Sequence, residues 1–356
     1  MNEAAQKQPR MQSRRLTVEF LTPAFLGNAE QSGQWRTPPF KHLLREWWRV
    51  AWVASGRDPA NVDAMRREEA RLFGAASDGQ GNRSLIRMRL DCWDSGGMKQ
   101  WVATGKVRHP EVGRGGASVG ADLYLGYGPL VYDKASKGTK LKANAAIQAG
   151  ERARFDIAFP ETEAGLLDRA LALMSAYGTL GGRSRNGWGS LALIGDGGEP
   201  LAPEAPPLRD WRDCLQLEWA HAIGQDDSGA LIWRTDGFDD WPALMKALAQ
   251  IKIDLRTHFQ FPQEKPPHRQ VEDRHWLAYP VTNHGTKRWN RNARLPNSLR
   301  FKARKDEGGK LHGVIFHMPC RPPREFRPET STLTSVWQQV HQFLDNQRTQ
   351  LQRSPA

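Results

Sequence analysis

Lys41, Arg45 and Arg49 stand four residues apart, and Trp48 and Trp52 repeat the same spacing. On a helix, that spacing puts them in neighbouring rows of one face. A cationic stripe beside flat rings can pair with phosphates and stack on bases. It can equally be a solvated helix face whose tryptophans complete a core, and this stretch alone favours neither. A second concentration is Gly181-Gly182-Arg183-Ser184-Arg185-Asn186-Gly187-Trp188-Gly189. Its glycines let a backbone approach a ligand closely and its two arginines supply charge; the plainer reading is a flexible turn. Gly187, Gly189 and Ala192 have the spacing of part of a dinucleotide fingerprint. They follow a helical pattern and enter a strand, however, and the fingerprint needs the reverse. A third feature is the run from Lys265 to Lys305, with eleven Lys or Arg against Glu272 and Asp273, or +9 of the chain's formal +12. Lys287, Arg288, Arg291 and Arg294 are its candidate phosphate contacts, and Trp276, Tyr279, Trp289 and Phe301 are interleaved with it. Charge gathered this way releases counterions on meeting a phosphate backbone, so binding there would be salt-sensitive.

Signals for catalysis are poor. No His-Glu-x-x-His motif stands out, and no carboxylate cluster of metal-binding type. His42, His109 and His284 lie near basic segments and could act as general bases in metal-free RNA cleavage; such histidines are more often backbone or phosphate contacts. Cys92, Cys214 and Cys320 are odd in number and never form Cys-x-x-Cys. That excludes a disulfide framework and a standard zinc finger and fits a reducing cytosol. His317 and Cys320 are near neighbours without a second ligand pair. The expectation is no catalytic residue, no metal and no cofactor. Met1 to Arg15 is polar and basic, unlike a signal peptide, and the most apolar stretch, Leu43 to Ala54, is broken by Arg45, Glu46 and Arg49. The expected setting is cytoplasmic, away from membranes.

The elements that must position these residues follow from periodicity. With 356 residues the chain has room for two domains. Residues 1–14 read as a disordered basic arm. Arg15 to Thr22 alternates as a strand ended by Pro23. Thr37-Pro38-Pro39 predicts a helix start with Thr37 as N-cap, and a second helix is predicted from Pro59 to Phe73, stopping at Gly74. Ser84 to Cys92 alternates again, and about 95–150 reads as a long insertion or flexible hairpin. Strand, helix and strand follow at Glu151 to Phe159, Leu166 to Tyr177 and Ser190 to Ile194. That order, strand-helix-strand-strand-helix-strand, is the ferredoxin-like unit that also underlies RNA-recognition modules. Gly195 to Pro207 carries three Gly and four Pro, and residues 199–208 read as a linker. Beyond it, residues 209–356 read as a degenerate second copy, with a strand over Leu215, Leu217 and Trp219, a helix from Asp240, strands at Leu299 to Arg304 and His312 to Met318, and a final helix through Leu333 to Leu344. The fold class is α+β: two ferredoxin-like (RRM-like) domains with insertions, antiparallel sheets and helices on one face.

Several of these residues together resemble a known family. Leu21-Thr22-Pro23-Ala24-Phe25-Leu26-Gly27, Arg36-Thr37-Pro38-Pro39-Phe40-Lys41, Leu44-Arg45 and Trp47-Trp48-Arg49 are similar to the amino-terminal signature of the RAMP proteins of type III CRISPR systems, most of all the first-numbered subunits of the Cmr (type III-B) effector complex. Glu69 with Leu72-Phe73-Gly74 resembles the next family motif, and Gly181 to Gly189 the Gly/Arg loop. The matches span residues 16–194; in the carboxyl half the likeness is chiefly Arg294-Leu295-Pro296-Asn297-Ser298. The family usually has Gly after the motif lysine, where this chain has His42. The resemblance implies a non-catalytic RNA-binding subunit at the head of a ribonucleoprotein, toward the 3′ end of the guide RNA, that helps capture target RNA. Its partners would be guide RNA, target RNA and other Cmr subunits. Lys41, Arg45 and Arg49 then match the basic helix, Arg183 and Arg185 the Gly-rich loop. Two rivals remain: a metal-independent guide-processing endoribonuclease, and a structural subunit whose basic face meets protein.

Overall fold

The computed structural model describes residues 9–75, 81–143, 145–202, 204–346 and 350–354. The first half runs β1 (Met11–Phe20), α1 (Thr37–Ala54), α2 (Val62–Phe73), β2 (Arg87–Leu90), β3 (Lys106–His109), β4 (Ala117–Gly120), α3 (Ala121–Gly126), β5 (Leu130–Asp133), β6 (Gly138–Leu141), β7 (Arg152–Pro160), α4 (Ala164–Tyr177) and β8 (Leu191–Gly195). The second half runs β9 (Leu208–Asp210), α5 (Trp211–Cys214), β10 (Ile223–Asp226), β11 (Gly229–Ala230), β12 (Ile232–Phe238), α6 (Trp241–His258), α7 (Asp273–Leu277), β13 (Leu299–Lys305), β14 (Leu311–His317), α8 (Thr330–Asp345) and β15 (Gln352–Arg353). The architecture is a mixed α+β one.

The principal sheet of the first half has the order β2-β7-β1-β8, all neighbours antiparallel. Leu16, Val18 and Phe20 of β1 alternate inward with Phe155, Ile157 and Phe159 of β7, the period-two pattern of a half-buried strand. Phe40, Leu43, Leu44 and Trp47 of α1 pack with Leu167, Leu171 and Met174 of α4 in the same core. The helix start at Thr37 holds with one change: Arg36 is the N-cap, without a side-chain cap bond, and Thr37 is the first helical residue before the two prolines. α2 is capped by Asn61, whose Oδ1 accepts from Ala64 N at 3.1 Å. Residues 11–14, expected in the arm, are strand: they pair with β7 from Met11↔Pro160 onward. Residues 1–8 of that arm lie outside the described residues.

The 95–150 stretch is more ordered than its sequence suggests. It forms two hairpins, β3–β4 and β5–β6, around the short α3. Asp122 of α3 accepts from Trp101 Nε1 at 2.8 Å and from Thr104 N at 2.9 Å, which ties the loop ahead of β3 to the helix. β3 then docks on α6, where Gln250 bonds both Arg108 N and Arg108 O. The insertion is therefore a bridge between the halves. Composition hid this, because its apolar anchors (Ala121, Leu125, Leu130) are few and far apart.

In the second half the main sheet has the order β13-β14-β12-β15. Taken by position along the chain, this repeats the second-third-first-fourth order of the first sheet. The predicted strand over Leu215, Leu217 and Trp219 is absent; those residues form a turn in which Leu215 fills the core. The strand that takes its place is β12, whose Ile232 and Trp233 are both buried and so break the alternation expected of a half-exposed strand. The halves share a core: Phe316 of β14 sits 5.2 Å from Tyr177 and 6.4 Å from Trp47. Lys302 of β13 is fully buried there and donates to Gly178 O and Leu191 O, each at 2.6 Å.

Three of the buried histidines of the second half are His275, His317 and His341. Burial above all lowers the pKa of His275 to about 4 and of His341 to about 3, and pulls His317 well below its usual value. In the unfolded chain each titrates near 6.5, so below that pH the unfolded state binds more protons. Their contribution to stability is full above about pH 6.5 and is lost as the pH falls toward the folded values, by up to ~1.4 kcal/mol per pH unit for each group. Denaturant titrations at about pH 7.5, 6.5 and 5.5 should show stability falling across the last step; a flat profile would contradict neutral burial.

Candidate nucleic-acid interface

The Gly-rich loop is held from several sides. Gly182 N donates to Phe25 O at 3.0 Å and Gly189 N to Pro23 O at 2.8 Å, while Gly187 O accepts from Thr22 Oγ1 and Ser190 Oγ. Trp188 is buried among Phe25, Trp101 and Trp241, with ring centroids 5.4 to 6.0 Å away. From the second half, Lys252 Nζ donates to Asn186 Oδ1 and Phe301 N to Arg185 O. The Leu21–Gly27 segment, the insertion, α6 and β13 thus converge on one loop. This is why so many of its residues must be glycine: at Gly181, with φ +97°, a Cβ would come within 2.7 Å of Phe25 O.

Between this loop, α1 and β13 lies a cleft of about 320 Å³. His42 and Glu46 of α1 line one side, Gly181, Ser184 and Arg185 the other, and Arg300 of β13 closes it. A second cavity of about 240 Å³ shares Glu46, Arg185 and Arg300 and continues past Arg49 to Asn297 and Arg321. Arg185 Nη1 donates to Asn297 O at 3.2 Å. Its pKa is lowered by burial first and by the neighbouring Arg300 second. In the first cleft two guanidiniums therefore face one carboxylate, Glu46, whose nearest approach to Arg300 is 4.0 Å. Confined positive charge with too few counter-charges is suited to an anion that brings oxygens to both arginines. A larger cavity, about 740 Å³ between α6 and α8, is lined by Asp236, Asp254 and several glutamines without Lys or Arg, and does not suit a phosphate.

The expected residues divide. Arg185, Gly181, Ser184 and Arg49 line the cleft system. Arg49 is also engaged elsewhere: its Nε and Nη2 both donate to Glu69, which raises its pKa. Arg45 lies 3.7 Å from Glu69 and over the Phe73 ring, and Lys41 stands half-buried beside it, its pKa lowered by burial and then by Arg45. Trp48 is a correction: its ring is wholly buried, edge-on to Phe73 at 5.8 Å, and cannot stack on a base. Trp52 is buried likewise and donates to Glu68. Arg183 turns away from the cleft and donates to Tyr127 O of the insertion; Gly182 packs on Phe25 and Pro129, and Gly187 under Met245 and Leu248.

Lys287, Arg288, Arg291 and Arg294 are all exposed, and among the described residues none enters an ion pair. The aromatics interleaved with them are not available: Trp276, Tyr279 and Trp289 form one buried cluster, and Phe301 is core. Arg294 leads through Leu295 to Pro296 and Asn297, which line the second cavity, so this strip runs up to the cleft. Sequence reasoning missed Arg300, Arg321 and Glu46. Arg300 was legible, since strand alternation places it opposite Leu299 and Phe301.

Of the histidines considered as general bases, His109 is buried against Tyr124 with its pKa lowered by burial, and His284 is stacked on Phe261. Only His42 of the three lines the cleft. Gly116-Ala117-Ser118-Val119-Gly120 has the spelling of a hydrolase motif. Ser118 sits within β4 opposite Arg108, not at a strand-to-helix turn, and makes no bond to a histidine among the described residues. His317 faces Ser298 and His341 rather than a metal-ligand set. No helix among the described residues is long and apolar enough to cross a membrane.

No family model matches the chain, and no curated protein does. Solved structures do. Cmr1 from Pyrococcus furiosus in its apo form is 15% identical over 90% of this chain and 92% of that one, with a TM-score of 0.44. A chain of the type III-B Cmr-beta complex bound to cognate target RNA is 11% identical over 94% of this chain and 100% of that one, with a TM-score of 0.44. A chain of the Cmr-beta complex with target RNA, AMPPnP and single-stranded DNA is 12% identical at the same coverages, with a TM-score of 0.42.

Proposed function

We propose that this chain is a non-catalytic RNA-binding subunit of a type III-B (Cmr) RNA-guided effector complex. In this reading it is built of two ferredoxin-like domains, divided near 199–208, binds toward the 3′ end of the guide RNA, helps capture target RNA and contacts other Cmr subunits. The observation that carries it is the cleft in which Arg185 and Arg300 face one carboxylate, continued by the unpaired cations Lys287, Arg288, Arg291 and Arg294. The cleft is walled by a backbone-rich loop and the buried tryptophans offer no stacking platform, so phosphate contact dominates and base preference is weak. The resemblance of the Gly/Arg loop and the α1 motif to RAMP proteins supplies the assembly.

Fluorescence anisotropy with a single-stranded RNA of about forty nucleotides, between about 50 and 300 mM salt, tests this. Affinity should fall steeply with salt. The Arg185→Ala/Arg300→Ala variant should bind about tenfold or more weakly, and replacing Lys287, Arg288, Arg291 and Arg294 by Gln should lower the salt slope by about one per lost phosphate contact. Salt-independent binding, or none, would favour a protein-facing surface. The endoribonuclease reading rests on His42 at the cleft mouth. It requires cutting at a fixed site that His42→Ala abolishes while binding persists; intact RNA after incubation excludes it.

A further inference from the structure

Glu264, His268 and Glu272 lie between α6 and α7, and each offers one ligand atom within 4.8 Å of the others. The His268 ring is fully buried and stacked on Phe261 with centroids 4.9 Å apart, yet its Nδ1 has no hydrogen-bond partner. Such an orphan costs about 1–3 kcal/mol unless something else meets it. The nearest acceptor, Glu264 Oε1, is 3.4 Å away without the geometry of a bond. That distance suits two donors on one ion instead: ligands at about 2.0–2.1 Å from a tetrahedral Zn²⁺ sit about 3.3 Å apart.

The surroundings admit the ring tautomer that a metal needs. Glu272 N donates to His275 Nδ1 at 2.9 Å, so His275 Nε2–H donates to His284 O at 2.8 Å. His284 Nδ1 faces His268 Nε2 at 3.0 Å. In the tautomer whose Nε2–H His268 donates there, its Nδ1 presents a lone pair toward the two carboxylates. Metal-bound histidines are held in this way by a partner on the far ring nitrogen. The adjacent cation Arg274 is committed elsewhere, with its Nη1 2.7 Å from both carboxylate oxygens of Glu111. Glu264 Oε1 also accepts from Arg269 N at 3.0 Å, which orients the carboxylate and leaves Oε2 open.

We propose that Glu264, His268 and Glu272 bind one divalent transition-metal ion, of the Zn²⁺ or Mn²⁺ class, through one imidazole nitrogen and two carboxylate oxygens, with water completing the shell. The ion clamps a segment that is already paired: His268 N donates to Gly285 O, Lys287 N to His268 O and Thr286 Oγ1 to Gln270 O, at 2.8 to 2.9 Å. It stiffens the strip that presents Lys287 and Arg288, and it stands independently of what that strip binds.

The test is calorimetric titration of the chelator-stripped full chain with Zn²⁺, Mn²⁺ and Mg²⁺, followed by thermal melts. One site should appear, tighter for Zn²⁺ than for Mn²⁺ and weakest for Mg²⁺, with Tm rising on Zn²⁺ addition. Glu264→Gln and Glu272→Gln should each weaken Zn²⁺ by about tenfold or more and leave the melt in chelator unchanged. Absence of stoichiometric binding, or equal affinity in both variants and the parent, overturns the proposal. RNA affinity measured in chelator separates that failure from a failure of the RNA-binding reading.

Discussion

Replacing Gly189 by alanine should destabilise the protein by about 4 kcal/mol or more, among the largest effects a single methyl can have. Gly189 has φ +65°, and a Cβ there would lie 1.9 Å from Leu180 O. The carbonyl cannot retreat cheaply, because Leu180 N donates to Gly189 O at 2.9 Å and Gly189 N to Pro23 O at 2.8 Å, which closes the base of the Gly-rich loop. Opening that base releases Arg185 from its place beside Arg300, so RNA affinity should fall together with stability. Gly197→Ala is the control: no atom lies within 4 Å of its added Cβ, it is exposed, and the change should stay within about 0.5 kcal/mol. Denaturant unfolding of both variants reads the difference. A Gly189→Ala protein as stable as its parent would mean that the loop is not shaped as described.

Trp48→Ala should cost about 3–5 kcal/mol, the range for emptying a large buried aromatic site. The ring is completely enclosed at the α1–α2 contact, and its Nε1 makes no hydrogen bond, so Trp48→Phe sacrifices volume without breaking a polar contact. The phenylalanine variant should keep RNA affinity within about twofold of the parent, whereas losing a stacking platform costs about 1–3 kcal/mol of binding. Anisotropy on Trp48→Phe beside denaturant unfolding on Trp48→Ala therefore separates a core tryptophan from an RNA-contacting one. A large affinity loss in the folded Phe variant would return Trp48 to the interface.

The same helix shows how far sequence reasoning reaches. Four-residue spacing puts Lys41, Arg45 and Arg49 on one face, and they are on one face. Spacing carries no information about Glu69, twenty residues beyond Arg49, which takes both nitrogens of Arg49 and draws in Arg45. Likewise, the alternation of Leu16, Val18 and Phe20 marks β1, whereas Ile232 and Trp233 of β12 carry no alternation because both are covered. Where the start of β12 is covered on both sides, the signal by which a strand is recognised is lost, although Arg234 and Asp236 beyond it are exposed. In the cleft, Arg185 and Ser184 were readable from the Gly/Arg loop. Arg300 meets Arg185 only because Phe301 N bonds Arg185 O, a contact across 116 residues of chain.

By itself, the sequence determined the surplus of positive charge and its concentration from Lys265 to Lys305, the principal helices and strands of the first half, and the presence of a Gly/Arg loop. These depend on local conformation and composition, which neighbouring residues fix. Only the tertiary structure decided which cations remain unpaired, which aromatics are core, that the 95–150 insertion bridges to α6, and that Glu264, His268 and Glu272 converge. Burial and pairing depend on what packs against a residue, and here the partners come from segments far apart along the chain.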